Sequence, residues 1–166
     1  MTAAALVRPA ARVLLLDPDG RVLLLGGRDV HPTDGPGEVR FWYTPGGGVE
    51  PGEGLRAAAV RELAEEIGLV VPPAALEGPV WLRRYVGRWA DVLVDSRETF
   101  FVLRDVVHEV DASGRTELEL LGDEPHRWWT VAEVGAGGRR FAPRDLGSLL
   151  PELLAGRWTG PPRVVD

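Results

Sequence analysis

The chain has no cysteine, no lysine, no asparagine and no glutamine, and its single isoleucine is Ile67. The lack of cysteine excludes disulfides, thiolate zinc sites and cysteine nucleophiles together, and a cytoplasmic setting is compatible with it. With no lysine, all 19 basic residues are arginines. The bias toward Ala, Arg, Gly, Pro, Val and Leu has the look of a GC-rich bacterial genome and bears on no function. Long apolar runs are also missing. Met1 to Leu16 is interrupted by Arg8 and Arg12, and its apolar stretches fall far short of the roughly 18 residues of a membrane span. Neither a signal peptide nor an anchor is expected, and no membrane partner. Acidic residues number 25 and the formal charge is -6, which argues against non-specific binding to nucleic acid or anionic membrane. No long nucleic acid is therefore expected as a partner. A phosphate-ester ligand would need local arginines or a divalent cation to offset the repulsion.

What is present is a globular composition. The 166 residues suit one domain, with 45% apolar and 27% charged residues, and 21 Gly and 14 Pro keep the chain below the low-complexity range. Val13 to Leu16 and Val22 to Leu25 flank Asp17-Pro18-Asp19-Gly20, which predicts a β-hairpin. Residues 26 to 38 are polar and Gly- and Pro-rich, a surface loop long enough to wall a site. Val39 to Thr44 reads as a strand running into Pro45-Gly46-Gly47-Gly48. Helix-favouring residues fill Gly54 to Ile67, and Gly68 closes them as a C-cap. Further strands are expected at Val80 to Val86, Thr99 to Val107 and Arg127 to Thr130, and helical segments at Val131 to Val134 and Asp145 to Ala155, where Pro151 weakens or kinks the second. Segments 108 to 125 and 135 to 144 read as loops. Strands and helices in this order suggest α+β or α/β, with a sheet packed between helices.

The chemistry concentrates after the glycine turn. At 100° per residue, Glu62, Glu65 and Glu66 fall within an arc of roughly 100°, so three carboxylates share one face of a helix. Val60, Leu63, Ala64 and Ile67 take the other side. Leu55 projects from the first turn toward the acid side and is expected to pack under the preceding loop. Like charges at this spacing repel, and Arg61 offsets only part of them. Hard divalent cations favour carboxylate and carbonyl oxygens, and a backbone carbonyl from Gly46 to Gly48 would complete such a shell. A bare Glu-x-x-Glu-Glu is more often solvated surface; the preceding glycine turn, which lets backbone approach a ligand, shifts the balance.

The stretch resembles the signature of Nudix hydrolases, Gly-x5-Glu-x7-Arg-Glu-U-x-Glu-Glu-x-Gly-U with U aliphatic. Gly47, Glu53, Arg61, Glu62, Leu63, Glu65, Glu66, Gly68 and Leu69 fill every defined position. The resemblance implies an α+β fold, an α/β/α sandwich with a mixed sheet between helices, spanning residues 1 to 166 as one domain. It implies Mg²⁺ or Mn²⁺ held by Glu62, Glu65, Glu66 and the Gly47 carbonyl, with Glu53 and Arg61 orienting the loop and the glutamates. It also implies water attack on the phosphoanhydride of a small nucleoside diphosphate linked to another group, and a homodimer by family habit. A general base is needed: Glu62 can serve while also touching metal, and among Glu98, Glu117, Glu119 and Glu124 the favoured residue is Glu119. Nucleobases are commonly held by stacking, for which Trp42, Trp81, Tyr85, Trp89, Trp128 and Trp129 are available. Arg28, Arg40, Arg83 and Arg84 suit phosphate. The substrate-binding set favoured here is Arg28, Arg40, Trp42, Arg84 and Tyr85. Tyr85, 16 residues after Leu69, is similar to the pattern of diadenosine polyphosphate hydrolases. His31, His108 and His126 are scattered and none is assigned to metal. A nucleotide-sensing domain without turnover is the alternative, which loss of a box glutamate would favour. A prenyl-diphosphate isomerase would normally need a cysteine.

Overall fold

The computed structural model describes residues 4–28, 39–89, 91–114 and 125–166. Nine strands are described: β1 (Leu6–Leu15), β2 (Val22–Arg28), β3 (Val39–Tyr43), β4 (Gly46–Gly48), β5 (Glu77–Trp89), β6 (Val92–Leu103), β7 (His126–Trp129), β8 (Phe141–Ala142) and β9 (Arg163–Val165). The helices are α1 (Leu55–Ile67), α2 (Val131–Gly135) and α3 (Leu146–Ala155). They build the expected α+β fold, with one difference: the mixed sheet is two sheets, ordered β4-β1-β6-β5-β9 and β7-β2-β3-β8.

The pattern of β1 explains the layering. Its C-terminal half is buried on both faces, so alternate side chains enter different cores. Ala11, Val13 and Leu15 pack with Ala58, Ala59, Leu63 and Ile67 of α1. Leu14 joins Trp81 and Phe100 of its own sheet, Leu24, Trp42 and Trp129 of the second, and Leu146, Leu150 and Leu153 of α3. α1 thus lies on one side of the five-stranded sheet and α3 on the other, and the second sheet contributes to both cores, Leu23 and Leu25 to the first and Leu24 and Trp42 to the second.

The hairpin expected around Asp17 to Gly20 is half present. The turn forms: Asp17 Oδ1 accepts from the Asp19 and Arg21 amides at 3.1 and 2.7 Å, and Gly20 takes the φ of 76° that favours glycine. Beyond a single bridge between Leu16 and Val22, however, the strands part into separate sheets. β1 instead pairs along its whole length with β6, in parallel.

The helix α1 follows the sequence reading closely. Gly68 ends it at a φ of 70°, its amide donating to the Ala64 carbonyl and the Leu69 amide to the Leu63 carbonyl, both at 3.2 Å. Its buried stripe is Ala58, Ala59, Glu62, Leu63, Glu66 and Ile67, so Val60 and Ala64 are only partly covered. Leu55, expected under the loop, is 39% exposed instead. Residues 26–28 continue β2, and 29–38 of the expected loop lie outside the described residues. The strand expected from Thr99 begins at Val92, which places Asp95, Arg97 and Glu98 within the sheet. Pro151 is accommodated inside α3. Among the described residues no helix is long and apolar enough to cross a membrane.

Candidate functional site

Glu62 and Glu66, one turn apart, are turned inward against β4, while Glu65 is exposed. The Gly46 amide donates to Glu66 Oε2 at 2.8 Å. At Gly47 a Cβ would stand 2.5 Å from Glu62 Oε1, so only glycine lets that carboxylate lie against the strand. Arg61 ties these parts together. Its guanidinium reaches Glu53 Oε1 and Oε2 at 2.8 and 3.0 Å, Glu62 Oε1 at 3.0 Å, Glu65 Oε2 at 3.2 Å and the Gly48 carbonyl at 2.9 Å. The loop before the helix, the helix and β4 therefore share one cation. Hydrogen bonds from Arg61 and from the Glu50 amide hold the Glu53 carboxyl down at about 2, and Glu53 in turn pushes Arg61 up. Burial pushes the Glu62 carboxyl up, against the pull of Arg61.

The direction of the turn carbonyls follows from the ladder. Val13 donates to the Pro45 carbonyl and Val49 to the Pro9 carbonyl, both at 2.9 Å. Alternation makes Ala11 and Gly47 a hydrogen-bonded pair between them, so the Gly47 carbonyl faces β1. The Gly46 and Gly48 carbonyls face the other way and are taken by Arg12 Nη1 at 2.7 Å and Arg61 Nη2 at 2.9 Å.

A second polar cluster lies on the sheet face opposite α1. Cα partners in the ladder put Arg8 level with Ser96 and Tyr85, and Ala10 level with Glu98 and Arg83. Glu98 is 7% exposed, and its two oxygens are held by Arg12 Nε at 3.2 Å and Arg83 Nη1 at 2.9 Å. The Arg83 guanidinium lies 5.3 Å from the Tyr85 ring centre. With both oxygens engaged by guanidinium, Glu98 is poorly arranged to take a proton from water. Arg8 reaches over Gly48, where a Cβ would meet its Nε at 2.5 Å; burial and neighbouring Arg12 lower its pKa, and Glu62 counters them.

Strand parity separates the remaining candidates. Arg84, next to Arg83, faces the other side of the sheet, where Asp95 binds it through two hydrogen bonds of 2.8 and 3.0 Å. Tyr85 is on the Glu98 side and 51% exposed. Trp42 is a core residue, edge-on to Trp129 with ring centres 4.9 Å apart, so the structure does not bring it to the acids. Arg28 and Arg40 lie on β2 and β3, with their side chains outside the described residues, as are Glu117, Glu119 and Glu124. The sequence reading left Arg8 and Arg12 without a role, although their even spacing in an otherwise apolar strand marks one face.

Among the described residues no three acids or histidines form a ready-made metal cluster. The donor set nonetheless fits a hard cation: Glu62, Glu65 and Glu66 are oxygen ligands on one helix face, and the buried carboxylate of Glu62, cradled by Gly47, shares its guanidinium with three other acceptors.

Comparisons with known proteins agree with this geometry. The model of the NUDIX domain family matches residues 6–151. An RNA pyrophosphohydrolase of Halorhodospira halophila is 30% identical over 166 aligned residues, covering 92% of this chain and 85% of the relative. One from Caulobacter vibrioides is 33% identical over 132 residues, covering 70% and 65%. The names of these relatives give no support to the expectation that long nucleic acid is not a partner. In structure, the MutT protein of Methanosarcina mazei superposes with a TM-score of 0.62 at 18% identity, covering 93% of this chain and all of the other. That likeness shows the fold, and the family match together with the similarity along the chain shows the rest: the chain belongs to the Nudix hydrolase family and is a pyrophosphohydrolase.

Proposed function

We propose that the whole chain, as one domain, hydrolyses a phosphoanhydride bond at the end of a nucleotide or RNA, water attacking phosphorus at a divalent cation held by Glu62, Glu65 and Glu66. The observation that carries this reading is the burial of Glu62 and Glu66 against the Gly46–Gly47 turn, because carboxylates buried side by side need cationic company. The family typically uses divalent metal ions. Bound there, Mg²⁺ or Mn²⁺ would neutralise anhydride oxygens and lower the pKa of a water. Arg61 holds the glutamates in register, and Arg8, over Gly48, is placed to meet phosphate. Tyr85, exposed and backed by Arg83, offers a stacking surface for a base. Trp42 is left out of the site by its packing, and the Arg84 guanidinium is engaged by Asp95. Glu119 stays the preferred proton acceptor.

Relatives named RNA pyrophosphohydrolases favour RNA as the substrate class. Internal RNA linkages hold one phosphate each, so a pyrophosphate bond belongs to an RNA end. Such a substrate needs only local arginines, which lets the chain's net charge of -6 coexist with an RNA ligand. Dinucleoside polyphosphates are the second reading, favoured by the position of Tyr85 after the box.

Release of phosphate or pyrophosphate from 5′-triphosphorylated RNA, dinucleoside polyphosphates, ADP-ribose, nucleotide sugars and nucleoside triphosphates, each with Mg²⁺, Mn²⁺ or EDTA, tests the reading. One strongly preferred, EDTA-sensitive substrate is expected. Nucleotide binding without turnover of any of them would favour the sensing domain, against which the complete set of box acids stands. Tyr85→Ala is expected to raise KM for the preferred substrate by about tenfold, the scale of one base–aromatic stack, with little change in melting temperature. An unchanged KM would remove Tyr85 from the substrate path.

A further inference from the structure

The Arg12 side chain ends in a cage of oxygens. Its Nη1 donates to the Gly46 carbonyl at 2.7 Å and to the Thr44 carbonyl at 3.4 Å, and its Nε to Glu98 Oε1 at 3.2 Å. Burial opposes its charge, but attraction to Glu98, Glu66 and Tyr43 outweighs that and holds its pKa above the ordinary arginine value. Two backbone carbonyls and a carboxylate are oxygen donors of the kind that hard divalent cations favour. Here a tethered guanidinium fills it. Arg12 is level with Gly46 in the β1–β4 ladder, its guanidinium lies 5.7 Å from the Tyr43 ring centre, and Glu98 is itself fixed from the far side by Arg83.

We propose that Arg12 is a built-in cation of the site, occupying the oxygen cage of Gly46, Thr44 and Glu98 and so excluding a divalent ion from that half of the acidic cluster. The proposal rests on the reading that the box glutamates hold a divalent cation. It divides the site: Arg12 takes the carbonyls of the turn and Glu98, and the exchangeable ion is left to the open side of Glu62, Glu65 and Glu66. Charge that another arrangement would supply with a second metal ion is covalently part of this chain.

Counting Mn²⁺ on the substrate-free protein by the electron paramagnetic resonance of the free ion tests it. The wild type should bind one ion per chain. Arg12→Gln, which keeps an amide donor for the Gly46 carbonyl but deletes the charge, should bind two, and Arg12→Lys, which restores a cation, should return to one. Adding Glu98→Gln to Arg12→Gln should abolish the second ion. Circular dichroism and melting temperature confirm that each variant is folded, and the wild-type count decides alone if Arg12→Gln is not. Two ions on the wild type, or equal counts for wild type and Arg12→Gln, would overturn the proposal while leaving the metal reading intact. No ion on any of the proteins would overturn both.

Discussion

Replacing Glu66 by glutamine is expected to lower turnover at least about a hundredfold at saturating Mg²⁺ and to leave the fold in place. Glu66 is 7% exposed and accepts a hydrogen bond from the Gly46 amide at 2.8 Å. A glutamine carbonyl can accept the same bond, so the helix and the turn stay docked. What is lost is one unit of negative charge in a low-dielectric pocket. Losing one preorganised electrostatic contact at a reacting centre typically costs about 2.7–4 kcal/mol of transition-state stabilisation, or about 10²–10³ in rate. Turnover number and melting temperature, measured together, check this. A folded Glu66→Gln protein with near-normal turnover would remove Glu66 from the site.

Two neighbouring glycines are expected to fail in opposite ways. Gly46 has a φ of 136°, and a Cβ there would stand 2.8 Å from the Arg12 Cα and well inside contact with the Ala11 carbonyl oxygen. Both are backbone atoms of β1 and cannot move without opening the ladder. Gly46→Ala should therefore destabilise the protein by about 3 kcal/mol or more, from strain and overpacking together. For a chain of this size that lowers the melting temperature by about 6–12 °C. At Gly47 the nearest atoms are those of the Glu62 carboxylate, at 2.5 to 2.7 Å, and the end of a side chain can swing away. Gly47→Ala should keep most of the stability and displace the carboxylate, lowering turnover by about a hundredfold, since a misplacement of about 1 Å has effects of that size. Melting curves and turnover for the pair separate the two. Full turnover in Gly47→Ala would show that Glu62 need not lie where the turn holds it.

What the sequence made legible was local. The helix from Leu55 to Ile67, its Gly68 cap and the acids on one arc depend on neighbours within a turn or two, and they were read correctly. The Asp17–Gly20 turn was legible for the same reason, whereas the partner of β1 was not. Its pairing with β6 joins residues such as Ala10 and Glu98 across most of the chain, and no local pattern encodes that. The charged stretch around Asp95, Arg97 and Glu98 falls outside the strand expected from Thr99 because its counter-ions sit on other strands: Arg84 for Asp95, and Arg12 and Arg83 for Glu98. Those pairs exist only in the folded register. Parity decided between Arg83 and Arg84, and parity needs the register with β6 that the β5 bulge shifts between Glu77 and Trp81. Trp42 had the composition of a stacking residue, but the second sheet turns it toward Trp129.

The central claim is that hydrolysis depends on a divalent cation at the Glu62, Glu65 and Glu66 face. It is tested most directly by measuring turnover of the preferred substrate in Mg²⁺, after EDTA, and after Mg²⁺ is restored, with the wild type beside Glu66→Gln. The account predicts wild-type activity that disappears in EDTA and returns in full, and a variant at or below about one hundredth of it throughout. Turnover that persists in EDTA, or a variant as fast as the wild type, would contradict it.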